Sequence, residues 1–107
     1  MKTFSEKVAE LALQIPAGRV TTYGAIAGRA GGGPMASRSV TAILGKAWDR
    51  GAKDIPFHRI VYAGGKVWMS PEYEQKRLKL YRKEGIKIKN GKIENFEEIF
   101  YDFKDPL

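Results

Sequence analysis

Two residue types bound the chemistry this sequence can carry: it holds one histidine, His58, and no cysteine. The lack of cysteine excludes disulfides, thiolate metal sites and every thiol nucleophile. A lone imidazole excludes a multi-histidine metal centre, so neither a metal nor another cofactor is expected. His58 lies in Ile55-Pro56-Phe57-His58-Arg59-Ile60-Val61, an apolar, strand-like run in which a histidine more often sits as a buried, hydrogen-bonded group than as a catalyst. Its neighbour Phe57 offers an aromatic ring and no lone pair, and by itself it reads as core. Tyr23 and Arg38 are the other candidates; taken singly, one reads as a core aromatic at a helix start and the other as a solvated helix charge.

The charge balance points to a partner rather than to a reaction. Nineteen Lys plus Arg against 12 Asp plus Glu leave a formal charge of +7, and a polyanion, nucleic acid among them, is the partner such an excess most readily attracts. With 107 residues, 43% hydrophobic and 29% charged, the chain has the size and composition of one soluble globular domain. No apolar run reaches membrane-spanning length, and Met1-Lys2-Thr3-Phe4-Ser5 leads straight into an amphipathic stretch. The expectation is a cytoplasmic protein, nucleoid-associated if prokaryotic, with no membrane partner.

The elements that would position these residues follow from periodicity and punctuation. Thr3 and Glu6 have capping-box spacing, and Phe4, Val8, Leu11, Ala12 and Ile15 recur at helical intervals before Pro16 and Gly18 end the run. Thr21 or Thr22 caps a short second helix over about Tyr23 to Ala30, which Gly31-Gly32-Gly33-Pro34 closes. A third helix is expected from about Met35 to Trp48, with Val40, Ile43, Leu44 and Ala47 inward. Its other face is small, with Ser37, Thr41, Ala42 and Gly45 beside the long basic Arg38 and Lys46. Such a pair reads as a helix-turn-helix. Gly64-Gly65 makes a tight turn between Tyr62 and Val67-Trp68, the expected wing. Ser70 and Pro71 suit the N-cap and first position of a basic fourth helix carrying Lys76, Arg77, Lys79, Arg82 and Lys83 and ending at Gly85. Asn90-Gly91 signals a hairpin, and Phe96 to Phe103 fits either a helix or an irregular tail. The fold class expected is mainly α, a winged helix-turn-helix with a small β wing: one domain over residues 1–107, with a core at 4–85 and a C-terminal extension at 86–107.

Taken together, the motifs carry a resemblance. Pro56-Phe57-His58-Arg59-Ile60 resembles the Pro-Cys-His-Arg-Val active-site motif of the DNA alkyltransferases that remove alkyl groups from O6 of guanine. Ile15-Pro16-Ala17-Gly18-Arg19-Val20-Thr21-Thr22-Tyr23-Gly24 is similar to that family's Ile-Pro-x-Gly-x-Val-x-Thr-Tyr-Gly segment, and Ala36-Ser37-Arg38-Ser39-Val40 to the start of its recognition helix. Gly64-Gly65 and Glu84-Gly85 fall where the family has Gly and Glu-Gly. The likeness spans about Phe4 to Gly85 and is strongest to the alkyltransferase-like subfamily, in which a residue other than cysteine, often tryptophan, holds the reactive position. Two positions depart from the pattern: Ala47 stands about where the family has an asparagine, and Met69-Ser70-Pro71 replaces a Tyr-Ser pair.

The resemblance implies a protein that is not an enzyme and that binds double-stranded DNA containing O6-alkylguanine. Displacing guanine from an O6-alkyl group needs an activated thiolate, and the base must leave the stack to be reached. By this likeness Tyr23 presses on the phosphate beside the lesion, Arg38 fills the vacated stack, and the small face of Ser37, Thr41, Ala42 and Gly45 lies close in the minor groove. Phe57, Tyr23, Pro56, Trp68 and Met69 would line the alkylguanine pocket, and His58, Arg59 and Glu84 would form a structural network. A monomer that marks lesions for nucleotide excision repair proteins is the function implied. The alternatives are a winged-helix regulator reading an operator sequence, normally as a dimer, and a protein-interaction module that no longer binds DNA.

Overall fold

The structure, a computed structural model, describes residues 2–33 and 36–103. Helix α1 (Phe4–Gln14) starts where Thr3 caps it. The Thr3 hydroxyl oxygen accepts the Glu6 N–H at 3.2 Å, satisfying a donor that the first turn leaves without a helical partner. Ile15 is extended, as a residue before proline prefers, and the helix stops there. Strand β1 (Thr21–Thr22) follows, and Thr22 rather than Thr21 caps α2 (Tyr23–Arg29) by accepting the Ala25 N–H at 3.0 Å.

Helix α3 (Ser37–Asp49) packs on both α1 and α2, with Val40 and Leu44 fully buried. The helix-turn-helix expected from the sequence is therefore α2 and α3. The expected start at Met35 lies outside the described residues. Strand β2 (Ile60–Val61) follows a short 3-10 turn over Phe57–Arg59 and pairs in parallel with β1, Thr21 opposite Ile60 and Thr22 opposite Val61.

The wing is built differently from the expectation. Gly64 and Gly65, at φ +78 and +89, do turn the chain tightly, and the Tyr62 N–H donates to the Lys66 carbonyl at 2.8 Å. Tyr62 and Val67-Trp68 nevertheless form no two-stranded hairpin. The strand before the turn pairs with β1, and the arm after it pairs with the following segment: Lys66 bridges Lys92, and the Val67 N–H donates to the Gly91 carbonyl at 3.0 Å. That segment is the hairpin of β3 (Ile88–Lys89) and β4 (Lys92–Ile93). Asn90 and Gly91 sit at φ +53 and +75, the two positive values a type I′ turn requires.

Helix α4 (Glu74–Lys83) starts four positions beyond Ser70 and is not capped by it. The Ser70 hydroxyl is buried without a partner, while its carbonyl accepts the Tyr73 and Glu74 N–H groups at 3.0 and 2.8 Å, so Pro71 to Tyr73 form an entry turn. The far end is as expected. Gly85 takes φ +75, and the Gly85 and Ile86 N–H groups return to the Arg82 and Tyr81 carbonyls at 3.1 and 2.9 Å, the Schellman pattern.

Apolar burial divides into two clusters. Val8, Ala12, Ile15, Ile26, Val40, Leu44 and Ile60 build the first; Val20, Val61, Tyr81, Ile86 and Ile93 build the second. Residues after Gly85 are no appendage to either. Ile86 and Ile93 belong to the second cluster, and beyond helix α5 (Phe96–Ile99) Tyr101 and Phe103 complete the first. Val20 fixes this return by exchanging backbone hydrogen bonds with Ile99 and Tyr101 at 3.0 and 2.7 Å, and Arg19 donates to the Ile99 and Phe100 carbonyls at 3.0 and 2.7 Å. Residues 86–103 thus contribute side chains to both clusters.

Candidate nucleic-acid interface and base pocket

Helix α3 presents its unpacked face to solvent. Arg38, Thr41 and Ala42 are exposed there, and Ser37 and Gly45 are partly covered. Arg38 makes no hydrogen bond or ion pair among the described residues, so its guanidinium is free for a partner. Gly45 is distinctive because a Cβ built on it would meet nothing within 4 Å. The glycine is not there to let another part of the chain approach; it borders open space. Ala42 differs from its neighbours in also edging a groove between α3 and α1, beside Ser5 and Ala9.

The open space beside Gly45 is a cavity of about 420 Å³, within the range of small-ligand sites. Trp48 and Phe57 form one aromatic wall, ring centroids 5.6 Å apart and edge to face. Trp68 and Tyr73 form another, 6.1 Å apart. Leu80, Lys76 and Arg77 of α4 and His58 complete much of the lining. The Arg77 guanidinium lies over the Trp68 ring, 4.9 Å from its centroid, a cation–π arrangement.

Of the five pocket residues expected from the sequence, Phe57 and Trp68 line this cavity and three do not. Pro56 is buried behind it, and Met69 turns into the second apolar cluster. Tyr23 packs on the first cluster with its ring 5.6 Å from that of Tyr62. Burial pushes the Tyr23 hydroxyl up from its ordinary pKa and the Tyr62 hydroxyl adds to this, while Arg77 and the Thr41 side chain oppose it. The sequence reading missed Trp48, Tyr73, Lys76, Arg77 and Leu80. A signal existed: Tyr73, Lys76, Arg77 and Leu80 recur at the spacing of one helical face, although their charges read as a solvated surface.

Behind the cavity, His58, Arg59 and Glu84 come together. His58 Nε2 lies 2.6 Å from Glu84 Oε2, and Arg59 Nη2 donates to the same oxygen at 2.9 Å. The Gly18 N–H reaches Glu84 Oε1 at 2.9 Å, and Arg59 Nη1 donates to the Ile15 carbonyl at 3.0 Å. One carboxylate thus joins the loop after α1, the Phe57–Arg59 turn and the end of α4. Burial by itself would raise Glu84, but the Arg59 guanidinium, the Gly18 N–H and His58 outweigh it and hold the carboxyl at about 2. Burial lowers His58, against the pull of Glu84. With a neutral imidazole beside an ionised carboxylate, Nε2–H donates to Glu84.

These parts can bind and enclose a planar group. Aromatic walls supply stacking surface, Lys76 and Arg77 supply positive charge, and the imidazole at the back is committed to Glu84. Among the described residues no cluster of His, Cys, Asp and Glu could hold a metal, and no helix is long and apolar enough to cross a membrane.

Fold and site together define a winged helix-turn-helix protein with an aromatic pocket beside its second motif helix. Residues 3–86 match the family described as 6-O-methylguanine DNA methyltransferase, DNA binding domain, and the chain belongs to that family. It is 33% identical over 94 residues to the Escherichia coli DNA base-flipping protein, covering 86% of this chain and 70% of that one. It is 37% identical over 97 residues to a Thermoplasma volcanium bifunctional methyltransferase/endonuclease, and there it spans 29% of the relative's length. Among solved structures, Schizosaccharomyces pombe Atl1 in complex with damaged DNA containing O6-carboxymethylguanine superposes with a TM-score of 0.73 at 26% identity, over 94% of this chain and 98% of that one. The Mycobacterium tuberculosis O6-methylguanine methyltransferase gives 0.58 at 29% identity, over 78% and 49%.

Proposed function

We propose that this protein recognises O6-alkylguanine in duplex DNA by turning the nucleotide out of the stack into the aromatic cavity, and that it holds the lesion without removing the alkyl group. The observation that carries this reading is the position of Phe57. It stands in the cavity wall, in the motif position where the family resemblance has the reactive cysteine, and the sequence has no cysteine to substitute for it. A ring can cover an alkyl group and exclude water from it. It cannot accept that group, because alkyl transfer needs a nucleophile with a lone pair.

The likeness to Atl1 bound to damaged DNA and to a base-flipping protein supports the same reading. In it α3 lies in the minor groove, where the short side chains at Ser37, Thr41, Ala42 and Gly45 permit close approach. Arg38 enters the stack and Tyr23 bears on the adjacent phosphate. Bound as a monomer, the protein would present the flipped nucleotide as a mark for nucleotide excision repair proteins.

Titration of fluorescent duplexes with and without a single O6-methylguanine tests the reading by anisotropy. Tighter binding of the damaged duplex is expected, and equal affinities would end the proposal. The intact protein mass should also stay unchanged after incubation with methylated DNA; a mass gain of one methyl group would show transfer.

A further inference from the structure

The cavity holds a cation with no counter-ion. Arg77 is partly buried on the α4 side of the pocket, its guanidinium 4.9 Å from the Trp68 ring centroid. No carboxylate lies within ion-pair distance of it among the described residues. Asp49 also lines the cavity yet pairs with neither Arg77 nor Lys76, and Glu84 is engaged by His58, Arg59 and Gly18. The other groups around Arg77 are hydroxyls and a neutral ring: its charge is felt by Tyr23, Tyr81 and His58, and the Tyr81 hydroxyl beside it is a neutral partner that leaves the charge uncompensated.

A cation partly withdrawn from water and left without an anion gains when a ligand supplies one. Stacking on Trp68 limits the guanidinium's freedom, so less ordering is needed when an acceptor arrives. Guanidinium donors match the geometry of a carboxylate, and such charge-assisted bonds are stronger than neutral ones. Phe57, the wall assigned above to the alkyl group, borders the same cavity.

Resting on the function proposed above, we infer that Arg77 is a specificity-determining residue that makes this pocket favour O6-alkyl groups ending in a carboxylate over uncharged ones. A neutral methyl group would meet the aromatic wall alone. An acidic substituent would also neutralise Arg77, with Lys76 adding to the field.

The test compares three duplexes of one sequence, carrying O6-carboxymethylguanine, O6-methylguanine or guanine, against the intact protein and its Arg77→Met and Arg77→Lys variants. The intact protein should bind the carboxymethyl duplex roughly tenfold more tightly than the methyl duplex, the scale of one charge-assisted hydrogen bond. Arg77→Met should bring that ratio close to one, and Arg77→Lys should keep part of it. A ratio near one in the intact protein, or a ratio that survives Arg77→Met, overturns the inference and leaves lesion recognition standing. Equal weakening on all three duplexes by Arg77→Met, with a shallower salt dependence, would make Arg77 a phosphate contact and overturn it as well. Failure of both lesions to bind better than the guanine duplex would instead remove the parent reading and the inference with it.

Discussion

His58 and Glu84 are 26 residues apart in sequence, and their side chains meet at 2.6 Å behind the wall of the pocket. Both are nearly withdrawn from solvent, with side-chain exposures of 11% and 9%. The same carboxylate also holds Arg59 and the Gly18 N–H, so three separated segments depend on one charge.

Replacing that charge should therefore be expensive. Glu84→Gln leaves the Arg59 guanidinium without its anion, and removing one partner of a buried pair costs about 3 kcal/mol or more. Urea denaturation followed by tryptophan fluorescence would read the loss. A midpoint equal to that of the intact protein would show the cluster to be dispensable.

The same cluster sets the direction of the acid response. Glu84 falls from its ordinary 4.5 to about 2 on folding, so the unfolded chain takes up its proton first. Its contribution is complete above about 4.5 and is lost as the pH drops from there through about 2. His58 acts in the same sense at higher pH, since its lowered pKa means that below 6.5 the unfolded state binds the proton more readily. Thermal midpoints should thus fall monotonically from pH 7 to pH 3, and the Glu84→Gln variant should show a flatter lower limb. Greater stability at pH 4 than at pH 7 would contradict both assignments.

Arg38 is exposed at the head of α3 and engages no protein group among the described residues. Arg38→Ala should leave the unfolding midpoint where it is and weaken binding of an O6-methylguanine duplex by ~1–3 kcal/mol, the scale of one specific contact. Retained affinity in the titration would remove Arg38 from the interface.

Gly45 separates stability from function. A glycine inside a helix costs about 1 kcal/mol relative to alanine, and here nothing lies within 4 Å of an added Cβ. Gly45→Ala should raise stability by up to that amount while weakening binding of damaged DNA, because the new methyl occupies the cavity edge. A variant that is more stable and binds as well as before would show that this edge does not touch the ligand.

Tyr101 measures how far the end of the chain supports the rest. It is 3% exposed, packs edge to face on Phe103 at 4.8 Å and lies under Arg19. Tyr101→Ala should cost ~3 kcal/mol, as large aromatic truncations in a core do. Loss of less than ~1 kcal/mol would mean that the first cluster closes without it.

Features encoded within a few residues were readable from the sequence. Thr3 as a cap, a threonine cap at 21 or 22, Gly85 at the end of α4 and the Asn90–Gly91 turn each follow from a local rule about hydrogen bonding or positive φ. Gly64-Gly65 shows where locality stops. Its turn forms, but which strand each arm joins is settled by β1 and β4, far away in the chain. Ser70-Pro71 have the right residue types for a helix start, yet the Ser70 hydroxyl is buried and caps nothing, and the helix starts at Glu74. The pocket was legible at two places, Phe57 in its motif and Trp68 after the Gly64-Gly65 turn. Trp48 and Arg77 reach the cavity from the far end of α3 and the middle of α4, and no short window of sequence contains both.

The return of residues 99–101 to Val20 also orders events during synthesis. The face that α1, α2 and α3 share stays incomplete until Tyr101 and Phe103 have left the ribosome, although those helices are made first. A nascent chain halted shortly after Gly85 would expose apolar surface that chaperones bind. Closure of the first cluster would then wait on an aromatic pair made some sixteen residues or more after Gly85.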